Sequence, residues 1–334
     1  MSDTDQTESS AAVGSVRARP EMVCIGETML MFAPPPHELI EYAHEFRAYL
    51  GGAESNVAIG LARLGTPAGW IGKLPDNALG HKVVNEMRAL GVDTSAVVWS
   101  ATGRMGTFFV EWGAAPRPVS TIYDRANSAA TTLSAEELDW GYVTGADWVA
   151  LTGITPATSA LCRETTLKVA RRVRAAGKRV LVDLNYRALL WSPSEAREAY
   201  RELLPHASLI VGTEPDIALL LDQQLGQQEA LAEVLRHYPA EAVVMTTGEA
   251  GSVAFDGHYY GSGGYTCQLV NRLGAGDAFV AGLLYGYTRW GLQTGLRYGS
   301  AMAALKLTIP QNIPLVDKAQ VERLVRDHGL AMLR

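Results

Sequence analysis

The 334-residue sequence is poor in cysteine and has no dense block of basic residues. Its three cysteines, Cys24, Cys162 and Cys267, are scattered, and none belongs to a C-x-x-C or Cys/His pattern. This spacing disfavours a zinc site and is typical of small apolar side chains buried in a protein of a reducing compartment. The formal net charge is −6. Because nucleic acids are bound by clustered Lys and Arg, a nucleic-acid partner is disfavoured.

Long apolar runs are also missing. No window approaches the roughly 20 apolar residues that a membrane-spanning helix needs. Residues 1–20 are rich in Ser, Asp, Glu, Thr and Ala and lack the apolar segment of a signal peptide. We therefore expect a disordered tail at 1–20 and a soluble, cytoplasmic domain at 21–334 with no membrane partner. Hydrophobic residues make up 48% of the sequence, enough for a large core.

Several nucleotide-binding signatures are absent. The sequence contains no G-x-x-x-x-G-K-[ST], no H-R-D and no D-F-G, which disfavours a P-loop enzyme and a protein kinase. No glycine triplet follows the first strand with dinucleotide spacing. The later Gly261-Ser262-Gly263-Gly264 lies inside an apparent β-hairpin, so a Rossmann dehydrogenase is disfavoured as well.

What is present is a regular alternation of apolar strands and amphipathic helices. The predicted strands include Met22–Gly26, Ala68–Leu74, Asp147–Leu151, Arg179–Asn185, Leu209–Gly212 and Ala242–Thr246. The predicted helices include His81–Leu90, Ser159–Ala175 and Glu195–Leu204, and we expect two more, Phe279–Trp290 and Leu296–Leu307, to close the chain. This order predicts a mainly parallel sheet covered by helices on both faces.

Two inserts break the alternation. Residues 27–50 contain three successive prolines, Pro34–Pro36, and residues 103–127 hold two β-like runs joined by a Pro/Gly loop. We interpret the two inserts together as a small β lid on the main domain. Exposed lid strands commonly pair between subunits, which favours a homodimer through the lid.

The segment Asn271–Phe279 carries the strongest chemical signal. Gly274-Ala275-Gly276 leaves the backbone bare before a helix that we expect to begin at Asp277. Free N–H groups and the positive end of the helix dipole bind anions there, most often phosphate. Asp277 is then placed to take a proton from an attacking hydroxyl. On spacing alone, the alternative is that Asp277 only caps its helix.

Polar residues at the predicted strand ends favour the phosphate interpretation. Ligands of parallel sheets bind beyond the carboxyl ends of the strands. The strand-end segments are Thr152-Gly153, Asp183–Arg187, Thr213-Glu214-Pro215-Asp216 and Thr246-Thr247-Gly248-Glu249, and Gly274–Asp277 is expected at the same edge.

Two motifs together resemble the ribokinase-like (pfkB) sugar kinases. One is Gly51–Ala58, with Ala62-Arg63-Leu64-Gly65 downstream, and the other is Gly274–Phe279. The resemblance extends from Val23 to the C-terminal region. It implies an α/β fold, a ribokinase-like three-layer sandwich with a mostly parallel central sheet and a small β-sheet lid. It also implies a kinase that uses ATP and Mg²⁺.

The resemblance assigns roles to individual residues. Asp277 is the implied catalytic base, and the backbone of Gly274, Ala275 and Gly276 is the implied anion hole. The implied nucleotide-binding residues are Asn185, Arg187, Thr213, Thr246, Thr247, Gly248, Glu249, Gly251, Gly274, Gly276 and Ala301. Asp216 and Glu214 are the implied magnesium ligands, within an element that departs from the family's Asn-x-x-Glu pattern.

Within the family, the sequence is similar to the 2-keto-3-deoxygluconate kinases. Three local features carry this likeness: Asp183-Leu184-Asn185-Tyr186-Arg187 followed by Leu190-Trp191, Tyr123-Asp124-Arg125 followed by Ser128-Ala129, and Gly26-Glu27 near the start. The implied sugar-binding residues are Gly52, Ala53, Glu54, Ser55, Asn56, Phe108, Tyr123, Arg125 and Arg187. A sugar acid agrees with the two arginines, because guanidinium groups bind carboxylates in a two-point geometry.

Several alternatives remain open from the sequence. Arg125 is also compatible with a solvated surface residue, Arg187 with a phosphate-binding role, and Phe108 and Tyr123 with lid core. Trp70 and Trp191 are expected in the core. The alternative functions are a neutral-sugar kinase, a non-catalytic sugar- or nucleotide-binding protein and, more distantly, an NAD-dependent oxidoreductase. Gluconate- and galactonate-derived stereoisomers are not distinguished.

Overall fold

The computed structural model describes residues 19–113 and 116–331. The predicted N-terminal tail therefore lies almost wholly outside the described residues. The strands are β1 (Met22–Ile25), β2 (Met29–Ala33), β3 (Arg47–Gly51), β4 (Ala68–Ile71), β5 (Lys73–Pro75), β6 (Val98–Ser100), β7 (Thr107–Glu111), β8 (Ser120–Asp124), β9 (Trp148–Thr152), β10 (Arg179–Asp183), β11 (Leu209–Thr213), β12 (Ala242–Thr246), β13 (Gly251–Phe255) and β14 (Tyr259–Gly263). The α-helices are α1 (Ala53–Arg63), α2 (Ala78–Ala89), α3 (Trp140–Val143), α4 (Ile154–Thr158), α5 (Ala160–Ala175), α6 (Pro193–Leu203), α7 (Glu214–Leu221), α8 (Gln227–His237), α9 (Ala275–Trp290), α10 (Leu292–Leu307) and α11 (Lys318–Ala331).

Eight strands form the large sheet, in the order β14-β13-β12-β11-β10-β9-β1-β4. Neighbours from β12 to β4 are parallel, and β13 and β14 add an antiparallel hairpin at one edge. The register places Asp183 beside Thr152 and Thr213 beside Thr246. The predicted convergence of polar strand ends at one edge is therefore confirmed.

Helices cover both faces of this sheet, because successive side chains of a strand point to opposite faces. Cys24 and Trp70 pack in the core beneath α1, α2, α9 and α10, whereas Val23, Ile25 and Ile71 pack in the core beneath α5–α8. The predicted ribokinase-like three-layer α/β fold is confirmed. Trp70 and Trp191 are buried, as expected. Cys24 and Cys162 are buried too, but Cys267 is only half-buried.

The two predicted inserts supply a second, four-stranded sheet in the order β3-β2-β7-β8. Its outer pairs are antiparallel, and its central pair, β2 and β7, is parallel. Met31 and Phe108 lie on one face, and Phe32 and Phe109 lie on the other. This small sheet stands beside the carboxyl ends of the large sheet, where Phe108 and Gly51 contribute to one cavity.

The structure corrects several predicted elements. The strand expected at Ala68–Leu74 is two strands, β4 and β5, and β5 pairs with β6 in a separate two-stranded sheet. Helix α8 was not predicted, and α11 rather than the helix at Leu296–Leu307 is the last helix. Among the described residues, no helix is both long and apolar enough to cross a membrane.

Candidate active site

The N-terminus of α9 forms the centre of the site. The helix begins at Ala275 rather than at Asp277, and its N-cap is Gly274, with φ of 81°. A Cβ at Gly274 would lie 1.9 Å from the carbonyl oxygen of Asn312, so only glycine fits this turn. The amide of Ala275 donates to Arg272 O at 3.3 Å. Within the described residues the amides of Gly276 and Asp277 have no acceptor, which leaves them free to bind an anion.

Asp277 does not cap its helix, so that alternative is wrong. Its Oδ2 accepts a hydrogen bond from Nδ2 of Asn56 at 2.7 Å. Burial raises the pKa of Asp277 to about 6, against the lowering effects of the Asn56 hydrogen bond and of the charges of Arg187 and Lys306. The carboxyl group is therefore mostly ionised at neutral pH, as a general base must be.

Helix α1 presents the other side of this contact. Gly52, its N-cap, is extended and lies close to the Glu27 carbonyl, where a Cβ would be only 2.2 Å away. Ser55 is fully buried and donates to Gly52 O at 3.0 Å. Its assignment as a direct sugar ligand is therefore corrected, because the hydroxyl closes the turn instead of facing the cavity. Gly52, Ala53, Glu54 and Asn56 do line the cavity.

A cavity of about 720 Å³ lies between α1, the N-terminus of α9 and the small sheet. Ten of the predicted residues line it: Gly52, Ala53, Glu54, Asn56, Phe108, Tyr123, Arg125, Arg187, Gly274 and Asp277. The rings of Phe108 and Tyr123 stack with centroids 5.4 Å apart, so both aromatic residues form the wall contributed by the small sheet.

Arg125 is neither a solvated surface residue nor a free cation. Its Nη2 donates to Oε2 of Glu27 in a close ion pair, and both side chains are largely buried. Ser128 donates to the other Glu27 oxygen at 3.3 Å. Nε of Arg125 is buried and has no hydrogen-bond partner among the described residues. One edge of the guanidinium group is therefore neutralised, while Nε is left without a hydrogen-bond partner.

Arg187 lies on the opposite wall and is exposed. Within the described part of the chain it forms no ion pair, although its charge acts on Asp277 and Asp183. Burial, and then the negative charges of Asp216 and Asp277, raise the pKa of Asp183 to about 8. Two other carboxyl groups thus act on that of Asp183 at this edge of the sheet.

Apart from Arg187 and Gly274, the predicted nucleotide residues do not line this cavity, and several of them lie on neighbouring strand ends. Thr213 and Thr246 end the paired strands β11 and β12, and Gly248–Ala250 forms a single 3₁₀ turn after them. Gly248 has a φ of 65°, which favours glycine, and Gly251 has a φ of 108° and no room for a Cβ, which would lie 2.1 Å from Ser262 O. Thr247 N donates to Gly251 O at 2.9 Å, Glu249 is exposed, and Asn185 Nδ2 donates to Asp183 at 3.0 Å.

Ala301, on α10, is fully buried in the core, so its assignment as a direct nucleotide contact is corrected.

The two residues predicted as magnesium ligands lie at the start of α7. Asp216 Oδ2 accepts a hydrogen bond from Thr213 N at 3.0 Å in a capping box, which occupies one of its oxygens. Glu214 is exposed. Among residues 19–113 and 116–331, no cluster of three or more His, Cys, Asp or Glu residues is arranged to hold a metal alone.

Sequence reasoning missed four residues of the site. Glu27 pairs with Arg125, Asn312 packs on Gly274, Lys306 acts on Asp277, and Leu189 forms an exposed part of the cavity rim. Asn312 and Lys306 belong to no motif in the sequence. The pairing of Glu27 depends on a partner 98 residues away. Glu27 lies in the Gly26-Glu27 pair that resembles the family, but that pair does not show its partner.

Residues 19–318 match the pfkB family of carbohydrate kinases. The chain is a pfkB family carbohydrate kinase. A 2-dehydro-3-deoxygalactonokinase of Haloferax volcanii is 40% identical over 308 residues, which cover 92% of this pfkB kinase and 96% of the relative. A 5-dehydro-2-deoxygluconokinase of Shouchella clausii is 34% identical over 271 residues, or 80% and 82% of the two chains.

The fold of this pfkB kinase is also found in solved structures. The crystal structure of a 2-dehydro-3-deoxygluconokinase of Thermotoga maritima superposes with a TM-score of 0.85 at 31% identity, covering 91% of this chain and 99% of that one. The similarity therefore extends over most of the chain.

Proposed function

We propose that this pfkB kinase transfers the γ-phosphoryl group of ATP to the terminal hydroxyl of a 2-keto-3-deoxy sugar acid. The observation that carries the proposal is that two arginines, Arg125 and Arg187, line the same cavity as Asp277. The named substrates of the similar proteins, 2-dehydro-3-deoxygalactonate, 2-dehydro-3-deoxygluconate and 5-dehydro-2-deoxygluconate, are all keto-deoxy sugar acids. Substrate stereochemistry stays open.

The charges in the cavity support an acidic ligand. Arg187 forms no ion pair with another described residue, and Nε of Arg125 has no partner. Glu27 neutralises one edge of Arg125, so the site does not accumulate an excess of positive charge when it is empty. A carboxylate that binds Arg187 and the free edge of Arg125 gains charge-assisted hydrogen bonds. A neutral sugar leaves these donors unpaired, which is unfavourable in a closed site.

The proposed chemistry is a direct transfer. The Asp277 carboxylate takes the proton of the terminal hydroxyl while that oxygen forms a bond to the γ-phosphorus, and the bond from phosphorus to the ADP oxygen breaks. Asn56 holds Asp277 from one side at 2.7 Å. The free amides of Gly276 and Asp277, at the positive end of α9, stabilise charge on the phosphoryl oxygens.

The strand ends beside the cavity form the proposed nucleotide site. The residues proposed for it are at the ends of neighbouring strands of the large sheet: Asn185, Thr213, Thr246, Thr247 and the glycine turn at 248–251. Backbone there approaches phosphate closely, because Gly248 and Gly251 carry no Cβ.

Magnesium fits this edge with carboxylate, phosphate and water ligands. Asp183 ends β10, Asp216 lies in the first turn of α7 directly after the neighbouring strand β11, and both side chains are buried. Mg²⁺ normally keeps several waters and uses only one or two carboxylates, so two acidic groups are enough. Asp216 and Asp183 are the proposed contacts, and the ion would neutralise charge on the phosphates. Glu214 is too exposed to be favoured.

A panel of sugars tests the proposal, with ADP release as the measurement. The panel contains 2-keto-3-deoxygluconate, 2-keto-3-deoxygalactonate, 5-keto-2-deoxygluconate, ribose and fructose. We expect the highest kcat/KM for a keto-deoxy acid.

A substitution of Arg125 tests its role in acid recognition. Arg125→Ala should raise KM for the acid by roughly 10- to 100-fold, as expected for loss of a charge-assisted contact, and leave any turnover of neutral sugars unchanged.

The matched control is Arg104→Ala. Arg104 lies beside β8 and pairs with Asp124, outside the cavity. It should leave KM for the acid within about twofold of wild type, since exposed ion pairs contribute little. A preference for ribose or fructose, or an equal effect of both variants on the acid, would contradict acid recognition by Arg125.

A further inference from the structure

Lys306 is a fully buried lysine that the proposed chemistry does not use. It lies in the last turn of α10 and has 0% of its surface exposed. Its Nζ donates to the carbonyl oxygens of Asn271 at 3.2 Å and Ile309 at 3.3 Å. Among the described residues it forms no salt bridge. Burial of an ammonium group without a bonded carboxylate costs free energy, so we expect Lys306 to have a specific role.

The two carbonyls belong to the segments that shape the turn before α9. Asn271 begins the segment 271–274, and Ile309 begins the segment 309–312, whose Asn312 carbonyl packs against Gly274. Asn271 Nδ2 also donates to Pro310 O at 2.8 Å, and its Oδ1 accepts from Leu273 N at 2.9 Å. Lys306 therefore joins two segments that meet at the free amides.

The charge of Lys306 also reaches the base. It lowers the pKa of Asp277, and Asp277 in turn raises that of Lys306, which burial lowers to about 8. Asp277, on the adjacent helix α9, is the charged group that acts on Lys306. Asp277 itself also faces Asn56 on α1 and the charge of Arg187.

We propose that Lys306 is a positioning residue for phosphoryl transfer. Its ammonium group fixes segments 271–274 and 309–312 relative to each other and places a buried positive charge behind the amides of Gly276 and Asp277. Lys306 does not line the cavity and touches neither substrate. This role rests on the proposed function and deepens it, because it explains how the anion site keeps its shape and charge before the phosphates arrive.

Substitutions at Lys306 test the role by separating charge from hydrogen bonding. Lys306→Met keeps the length of the side chain and removes both, whereas Lys306→Gln retains N–H donors without charge. We expect kcat to fall about 10- to 100-fold in both variants, below the 10²–10³-fold loss typical of removing a direct donor, with KM for the sugar acid within about threefold. Lys82→Met, at a half-buried position of α2 outside the cavity, is the control and should behave as wild type.

Chemical rescue distinguishes an ammonium role from a general packing defect. In Lys306→Ala, methylammonium should restore turnover saturably, whereas tetramethylammonium, which has no N–H donor, should not. Wild-type kcat in Lys306→Met or Lys306→Gln overturns the role of the charge. Failure of the Met and Ala variants to fold, even in methylammonium, assigns Lys306 to the fold alone and overturns the proposal.

A measurement without substrate separates this proposal from the proposed function. Titration of ¹³C-labelled aspartate by NMR, with Asp277→Asn for assignment, reports the pKa of Asp277 directly. Removal of the Lys306 charge should raise this pKa by about one unit. Inactivity of the wild type on every sugar would refute the proposed function and leave this shift intact. An unchanged pKa in Lys306→Met would refute the charge effect whatever the substrate.

Discussion

Asp277 and Asn56 are 221 positions apart in sequence, yet their side chains are joined by a 2.7 Å hydrogen bond. This contact fixes the orientation of the carboxylate that we propose as the base. Asp277→Asn keeps the shape and most of the packing but cannot accept the proton. We expect kcat to fall by about 10²- to 10⁴-fold, with KM little changed. Steady-state kinetics with the preferred sugar acid checks this, and Asp76→Asn, an exposed position, is the control.

The pH profile gives a second measurement of the same group. Because burial raises the pKa of Asp277 to about 6, the base is protonated at lower pH. In the wild type kcat/KM should therefore rise with pH through about 6 and level off above it. A rate that stays constant down to pH 5 would show that Asp277 is not the group that accepts the proton.

Glu54 predicts a pH dependence of stability. Its Oε1 accepts hydrogen bonds from Thr152 at 2.6 Å and Thr155 at 2.7 Å, while its Oε2 has no partner among the described residues. Burial, opposed by these hydrogen bonds, raises its pKa from 4.5 to about 7. The folded protein thus binds the proton more tightly than the unfolded chain, and the free energy of unfolding falls as pH rises from 4.5 to 7.

Glu54→Gln removes this ionisation and keeps an acceptor for both threonines. Relative to wild type, the variant should gain stability as pH rises, by at most roughly 2–3 kcal/mol at pH 8 given about 1.4 kcal/mol per pKa unit. Urea unfolding at pH 5 and pH 8 measures the difference, with the exposed Glu164→Gln as control. A Gln effect independent of pH would mean that Glu54 titrates normally.

Single residues of the site could be predicted only where a local pattern carried them. The glycines before α9 and the following Asp277 form such a pattern, because the turn needs φ of 81° at Gly274 and the helix exposes free amides. The roles of Lys306 and Glu27 could not be predicted, since they depend on partners brought together by the fold. Ala301 was assigned from its helix alone, without knowledge of the face that is buried.

At the scale of elements, α9 carries both the proposed anion site and the packing that supports it. Gly276, in its first turn, has no atom within 4 Å of an added Cβ. Gly282, two turns later, is packed so closely on α10 that a Cβ would lie 2.4 Å from Tyr298 O. Two glycines of one helix therefore have opposite reasons for lacking a side chain.

This contrast gives a matched pair of variants. Gly282→Ala should destabilise the fold by about 1–3 kcal/mol, because the obstructing atoms are backbone. Gly276→Ala should leave stability within about 1 kcal/mol of wild type, since alanine favours helix, but lower kcat by about 10²-fold as the methyl group intrudes on the bound phosphoryl group. Thermal unfolding and kinetics of both variants check this. Normal turnover in a stable Gly276→Ala would exclude the free amides as the anion site.

Elements were predictable where hydrophobic period and length agreed. The parallel strands of the large sheet are continuous apolar runs, so their places followed from sequence. β5 and β6 have three residues each, include Pro75, and depend on pairing across the intervening helix. Helix α8 buries only Ala230, Leu231 and Val234, so its apolar stripe is narrow. Tertiary contacts, rather than local preference, define such elements.

At the scale of the whole molecule, the cavity lies between the two sheets. One wall, on the side of the large sheet, contains Asn56, Asp277 and Arg187. The opposite wall, on the side of the small sheet, contains Phe108 and Arg125. Movement of the small sheet relative to the large one would change the cavity volume and the access of water. Such closure is what a kinase needs to avoid hydrolysis of ATP.

The outer face of the small sheet predicts self-association. Phe32 and Phe109 stack there with centroids 5.6 Å apart, Phe46 packs on Phe109, and Ile122 is 55% exposed. Within the described residues, β8 pairs only with β7, so its other edge has free backbone donors and acceptors. Exposed apolar faces and open strand edges are commonly covered in an assembly. We therefore expect a two-fold symmetric dimer that buries this face.

Ile122→Lys tests the dimer, because it places a charge within the apolar face without entering the cavity, which Ile122 does not line. Sedimentation velocity should show a dimer for the wild type at micromolar concentration and mainly monomer for the variant, a weakening of at least about tenfold for roughly 1.4 kcal/mol lost. Leu161→Lys, at an exposed position of α5, should remain dimeric. If the dimer also supports closure, Ile122→Lys will raise KM for the sugar acid, and dilution of the wild type will have the same effect. A wild-type monomer, or a dimer unaffected by Ile122→Lys, would place any assembly surface elsewhere and leave the small sheet to close over the substrate within one subunit.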